Sequence, residues 1–163
     1  MKMGPDGAIY FADWYNPIIQ HGEVDFRDPR RDHTHGRIWR VTFKDRKLVE
    51  RPELVDAGIS RLFEQLQSPE GWTRRQARRV IRERGSQTVL PALKNWISEN
   101  LNRQSVTDQE RLEMLWVAQS IDVPQPELLQ VILKSQQPEI RAAGVRVLQH
   151  WQESVSEIAE HLK

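Results

Sequence analysis

The sequence predicts a mixed chain in which a short β segment is followed by an all-α array of stacked helices. Three observations carry this prediction. Turn and alternation signals are confined to the first 43 residues or so, apolar positions recur every three or four residues from about Ile59 onward, and an arginine-bearing helix pattern returns at intervals of roughly thirty to forty residues.

In Gly4-Pro5-Asp6-Gly7, proline presets the second turn position and the glycines admit positive φ, so a tight turn is expected. Ala8-Ile9-Tyr10-Phe11-Ala12 then reads as a short, largely buried strand. Arg37, Trp39 and Val41 alternate with Ile38, Arg40 and Thr42, which predicts a second strand of about six residues. Between the strands run more than twenty residues punctuated by Pro17, Gly22, Pro29 and Gly36. A loop of that length is usually functional or packed beneath another element. Two short strands joined in this way are marginal alone and leave both edges open, so this part is expected to be incomplete by itself.

Residues 44–58, charged and carrying one proline, read as a linker. Beyond them Leu62 and Leu66, then Trp72, Ala77, Val80 and Ile81, then Val89, Leu90, Leu93, Trp96 and Ile97 each trace an apolar helix face. Gly85 falls where one helix would end, and Pro91 within the first turn of the next. The same grammar returns in "DQERLEMLWVAQSI", "QPELLQVILKS" and "QPEIRAAGVRVLQHW". Aligning the helices on Arg75, Arg111 and Arg141 gives intervals of 36 and 30 residues, a spacing expected of helix pairs that bury a face only against their neighbours. Ala77 and the Ala142-Ala143-Gly144 run are small enough to let helices approach closely, and Trp72, Trp96, Trp116 and Trp151 all fall on apolar faces.

The 163 residues suffice for one ordinary domain or two small ones. With 24 Lys and Arg against 23 Asp and Glu, the net charge of +1 supplies no global field to recruit nucleic acid or an anionic surface. The six arginines of "RRQARRVIRER" alternate with inward-facing Ala77, Val80 and Ile81 and read as a solvated helix face rather than a phosphate-tracking groove. Zero cysteines exclude disulfides, thiolate zinc sites, a cysteine nucleophile and haem attached through C-x-x-C-H. The mean hydropathy is -0.67, apolar runs are too short to span a bilayer, and "MKMGPDGAIYF" holds no export-signal core.

"SPEGWTRRQARRVI" and "QQPEIRAAGVRVL", with a weaker middle copy that lacks the alanine, resemble HEAT-type repeats. That resemblance implies an α-solenoid scaffold. "GPDGAIYFADWYN" resembles a strand of NHL and sugar-dehydrogenase β-propellers. Together with "DWYNPIIQHG", "RDPRRDHTHGRIWRV" and the helices that follow, it resembles the planctomycete-type membrane-bound dehydrogenases. In that family a propeller related to quinoprotein glucose/sorbosone dehydrogenases precedes helical repeats and often a cytochrome-type domain.

The close match covers residues 4–43. It includes Asp13, Trp14, Asn16, Pro17, His21, Arg27, Asp28, Pro29, Arg31, Asp32, His33, His35, Gly36 and Arg37, and it departs at Gln20, where glycine is expected, and at residues 23–26. The resemblance implies a last propeller blade in residues 1–43, the linker in 44–58 and HEAT-like repeats in 59–163. It further implies a carboxy-proximal portion of a longer periplasmic or otherwise extracytoplasmic protein that oxidises a sugar or alcohol. A quinone or Ca²⁺, and a c-type haem domain, are expected in that longer protein, with no cofactor and no catalytic residue assigned to this portion. The expected partners are the upstream blades of the same protein and, through the helices, other proteins. The alternative is a non-catalytic interaction module built on the helices.

The loop concentrates His21, Glu23, Asp25, Asp28, Asp32, His33 and His35 among Arg27, Arg30, Arg31 and Arg37. On an extended segment His33 and His35 point to one side, and with His21 or Asp32 they could complete a three-ligand metal site. A His–Asp pair could instead serve as a general base. In the simplest reading Asp28 and Asp32 pair with the surrounding arginines and the loop is structural.

Overall fold

The computed structural model describes residues 1–15, 18, 22–151 and 154. Its elements are strands β1 (Lys2–Met3), β2 (Ile9–Asp13) and β3 (Arg37–Val41), then helices α1 (Ile59–Gln65), α2 (Gly71–Glu83), α3 (Ser86–Asn100), α4 (Asp108–Ser120), α5 (Pro126–Leu133) and α6 (Pro138–His150). A short three-stranded antiparallel sheet is thus followed, among the described residues, by six helices. The chain divides into Met1–Pro52 and Glu53–Lys163.

The sheet has the order β1-β2-β3, with Phe11 opposite Trp39 and Tyr10 opposite Arg40. Its first turn is built as its residues dictate. Gly4 N donates to Ala8 O at 2.8 Å and Gly7 N to Gly4 O at 3.3 Å, with Gly7 at φ +77°. A Cβ on Gly4 would lie 2.2 Å from the Tyr10 ring, so only glycine fits beneath that side chain. Asp6 joins three elements: its carboxylate accepts from Ala8 N at 3.1 Å, Tyr10 OH at 3.0 Å and Arg40 Nε at 2.8 Å. Val49 N donates to Asp6 O at 2.9 Å, so the segment after β3 returns to the same turn.

Alternation places Met3, Ile9, Phe11, Trp39 and Val41 on one face of this sheet, and Tyr10, Ala12, Ile38 and Arg40 on the other. The expectation of a largely buried first strand fails here. Ala8 is buried, but Met3, Ile9, Trp39 and Val41 are 49, 42, 45 and 51 % exposed. The reason is physical: a sheet this small has one apolar face, and the described residues of Met1–Pro52 supply no second layer to cover it.

In Glu53–Lys163, α1 packs on α2, α3 on α4 and α5 on α6, while α2, α4 and α6 touch in series and α1 touches α3. The core takes Leu62, Leu66, Ala77, Ile81, Val89, Leu93, Leu115, Leu129, Ile132 and Val147, each with almost no exposed surface. Trp151 is buried, and Trp72, Trp96 and Trp116 pack partly buried against this core, with Trp96 stacked on Phe63 at 4.4 Å between ring centres. Ala143 and Gly144 are buried, whereas Ala142 is exposed, and a Cβ on Gly144 would lie 2.8 Å from Ile132 Cγ2 of α5. Helix α4 begins with a capping box in which Thr107 accepts from Glu110 N at 3.2 Å and donates to the Glu110 carboxylate.

The helices repeat in the register of Arg74, not Arg75. Arg74, Arg111 and Arg141 each occupy the fourth position of α2, α4 and α6, and each folds back to cap the preceding turn. Arg74 Nη1 donates to Ser68 O at 2.6 Å and Pro69 O at 2.9 Å, and Arg141 Nη1 to Ser135 O at 2.8 Å. Arg111 reaches the carbonyls of Leu101 and Arg103, both at 2.9 Å. The intervals are therefore 37 and 30 residues. Arg75 is exposed and carries none of these bonds because one residue along a helix turns the side chain by about 100°.

The interface of α2 with α4 contains a buried acid that sequence reasoning missed. Glu113, 3 % exposed, accepts from Arg78 Nη2 at 2.5 Å and lies 3.8 Å from Arg74 Nε. The Arg78 guanidinium also stacks over Trp116 at 4.8 Å, so the arginine is held from two sides.

Candidate functional site

The polar loop before β3 is organised by three aspartates that each fold the chain back on themselves. Asp25 Oδ1 accepts Arg27 N at 2.7 Å, Asp28 Oδ1 accepts Arg30 N at 2.9 Å, and Asp32 Oδ1 accepts Thr34 N at 2.9 Å. Each is an Asx turn, in which a short carboxylate side chain captures the amide two residues on. The pattern is legible in "DFRDPRRDHT" as aspartates at residues 25, 28 and 32.

Their side-chain partners differ. Asp28 forms a two-pronged pair with Arg30, at 2.9 Å from Nε and 2.8 Å from Nη2. The Arg30 bond, before the others, holds the Asp28 carboxyl at about 2. Asp32 does not pair with an arginine; it accepts from Thr34 Oγ1 at 3.0 Å and faces His35 Nδ1 at 2.8 Å. The Thr34 amide, followed by the His35 ring and the Thr34 hydroxyl, holds the Asp32 carboxyl at about 2.

Arg31 is 4 % exposed, and its guanidinium donates to main-chain carbonyls of Asp25 at 2.9 Å, Val24 at 2.8 Å and Ile18 at 3.3 Å. The loop closes around the arginine, whose donors meet main-chain acceptors. Arg37 likewise lies on rings, 4.0 Å from the centre of Tyr15 and 5.9 Å from that of Trp39, and Trp39 Nε1 donates to Asp13 Oδ2 at 2.9 Å. Arg27 is exposed.

Asp32, His33 and His35 line one cavity of about 490 Å³ together with Tyr15, Arg30, Arg31 and Thr34. They are brought together by a bend at residues 33 and 34, not by an extended segment. His33 and His35 therefore meet at the cavity through that bend and not through strand alternation, with His35 curled back onto Asp32. Among the described residues no group of three or more His, Asp or Glu could hold a metal ion. His21, Asn16 and Pro17 lie outside the described residues. Chemically, the loop presents an ordered His–Asp pair, with the Asp32 carboxylate at Nδ1 of a side chain that is 73 % exposed.

The architecture defines the chain as a small antiparallel sheet unit, carrying this polar loop, joined to a unit of paired helices. Within it, a family model described as "Domain of unknown function (DUF7133)" matches residues 1–45, the span of the sheet and the loop. No curated protein and no solved structure matches the chain.

Proposed function

We propose that the sheet unit is part of a β-propeller blade completed by other blades of the same, longer polypeptide, and that the helices that follow it in the chain form a HEAT-like solenoid scaffold. The observation that carries this reading is the apolar face of Met3, Ile9, Phe11, Trp39 and Val41, half open to solvent on a sheet whose outer strand β3 has a free edge among the described residues. Contiguous apolar surface of this kind marks a surface built to be covered, and an edge strand invites a further strand. The pairing of α1 with α2, α3 with α4 and α5 with α6, and the recurring arginine at the fourth position, support stacked repeats.

On this reading the complete protein is an extracytoplasmic, dehydrogenase-like protein acting on a sugar or alcohol. On the same reading a quinone or Ca²⁺, and a c-type haem, belong to the rest of the longer polypeptide, and no step is assigned to this chain. The chain then supplies propeller closure and a helical scaffold.

The test is to extend the chain with the reading frame upstream of Met1. That frame should encode further Pro-Asp-Gly strand repeats, and Trp39→Glu with Val41→Glu should destabilise the extended protein while leaving the helical unfolding transition in place. An upstream stop codon, or an extended protein indifferent to both substitutions, refutes the blade. Failure of the extended protein, supplied with quinone and Ca²⁺, to reduce an artificial electron acceptor with any of a panel of sugars and alcohols refutes the activity alone.

A further inference from the structure

A groove of about 360 Å³ runs between α1 and α3 in the helical unit. Phe63 and Trp96, stacked at 4.4 Å with their planes 17° apart, line it, and Glu64 and Glu99 stand in its walls with Gln67 and Asn95. No cationic side chain lines it. Among the described residues Glu99 has no ion-pair partner, and Glu64 has only Arg61, at 2.6 Å, with both side chains more than 60 % exposed. An exposed pair of that kind contributes little and exchanges readily for another cation.

An indole flanked by two available carboxylates matches one ligand chemistry closely. A planar guanidinium can lie against the side of the Phe63–Trp96 pair that lines the groove and present its fork of N–H donors to a carboxylate, which a compact, strongly hydrated ammonium does less well. The neighbouring amides of Gln67 and Asn95 suit the main chain of an extended segment. We infer that the α1–α3 groove is a docking site for an arginine-bearing peptide segment of a protein partner. This inference concerns the helical unit alone and stands whatever covers the sheet.

The test uses the full chain labelled with ¹⁵N, a hexa-arginine peptide, a hexa-lysine peptide and maltohexaose as probes, and the Trp96 indole signal, assigned with Trp96→Phe. Hexa-arginine should shift that signal saturably, more tightly than hexa-lysine. Glu64→Gln and Glu99→Gln should each weaken binding about two- to fivefold, and more in combination, while Glu127→Gln on α5 should leave it unchanged. Higher salt should weaken binding. The inference is overturned if hexa-arginine leaves the Trp96 signal in place, or if Glu127→Gln weakens binding as much as Glu99→Gln, which marks diffuse attraction. It is equally overturned if maltohexaose moves the signal and hexa-arginine does not, which makes the groove a sugar site.

Discussion

Arg78→Ala should be among the most damaging single changes to the helical unit. It removes the 2.5 Å partner of Glu113, a side chain only 4 % exposed, and leaves Arg74 Nε at 3.8 Å as the nearest remaining cation. Removing one member of a buried pair typically costs about 3–5 kcal/mol, because the other charge stays desolvated. Here Arg78 is itself 26 % exposed and Arg74 can move closer, so the lower end, about 3 kcal/mol, is expected. Glu113→Leu should behave differently. It leaves Arg78 stacked on Trp116 with access to water, and a leucine of similar volume fills the site, so a change within about 1 kcal/mol is expected. Adding Glu113→Leu to Arg78→Ala should recover most of the loss. Urea unfolding followed by helical circular dichroism reads all three, with the m-value unchanged if only the native state is affected. If Arg78→Ala costs under about 1 kcal/mol, or if the double variant is no more stable than the single, the account of Glu113 as a buried charge that needs a cation is wrong.

Three further outcomes follow from the same geometry. Arg31→Ala removes three bonds from a buried guanidinium to the carbonyls of Ile18, Val24 and Asp25, so amide exchange at Asp28 and Arg31 should quicken at least about tenfold, with Arg31→Lys restoring only part; unchanged exchange would show that the loop holds without it. The Asp6 carboxyl is held at about 2, first by Arg40 and then by Ala8 N and Tyr10, below the unfolded value near 4. Its stabilisation of the sheet is therefore fully present above about pH 4 and lost as pH falls through 2, and Asp6→Asn should flatten that acid limb of a near-ultraviolet circular dichroism titration. Gly144→Val drives side-chain carbons into Ile132 and Leu133, which lie 2.8 and 3.2 Å from an added Cβ, and should cost about 1–3 kcal/mol in thermal unfolding; a variant as stable as the parent would mean that α5 and α6 can separate freely.

Residues whose role is set by their immediate neighbours were legible in the sequence. Gly4-Pro5-Asp6-Gly7 turns as its residues dictate, and α1 begins at Ile59, where the period changes. The capping box of α4 is written in Thr107 and Glu110. The arginine register could also have been read: Ser68, Ser105 and Ser135 each stand six residues before Arg74, Arg111 and Arg141, a spacing that Arg75 breaks. What could not be read is long-range pairing. Glu113 sits among Leu112, Met114 and Leu115, all buried, so α4 is enclosed on more sides than a single stripe and its periodicity does not separate an inward acid from an outward one. In the loop, Asp32 takes His35 and not an arginine because its own Asx turn brings residues 34 and 35 to it first, a preference that spacing alone cannot rank against charge.

The arginine run of α2 shows how composition misleads when partners are not known. Six arginines between Arg74 and Arg84 look like a surface awaiting phosphate. Three of them already have internal tasks: Arg74 caps the turn at Ser68, Arg78 neutralises Glu113, and Arg84 Nη2 donates to Val55 O at 3.0 Å, while Arg79 makes an exposed pair with Glu83 at 2.8 Å. Redirecting Arg74 or Arg78 to a ligand would leave a turn uncapped or a buried carboxylate without its cation, a cost that a single solvent-exposed phosphate contact does not offset. Only Arg75 and Arg82 lack such a bond among the described residues, and they stand on an exposed face. The arginines of α2 thus work largely within their own unit: Arg78 joins α2 to α4, Arg74 closes the turn before α2, and Arg84 ties the end of α2 back to Val55.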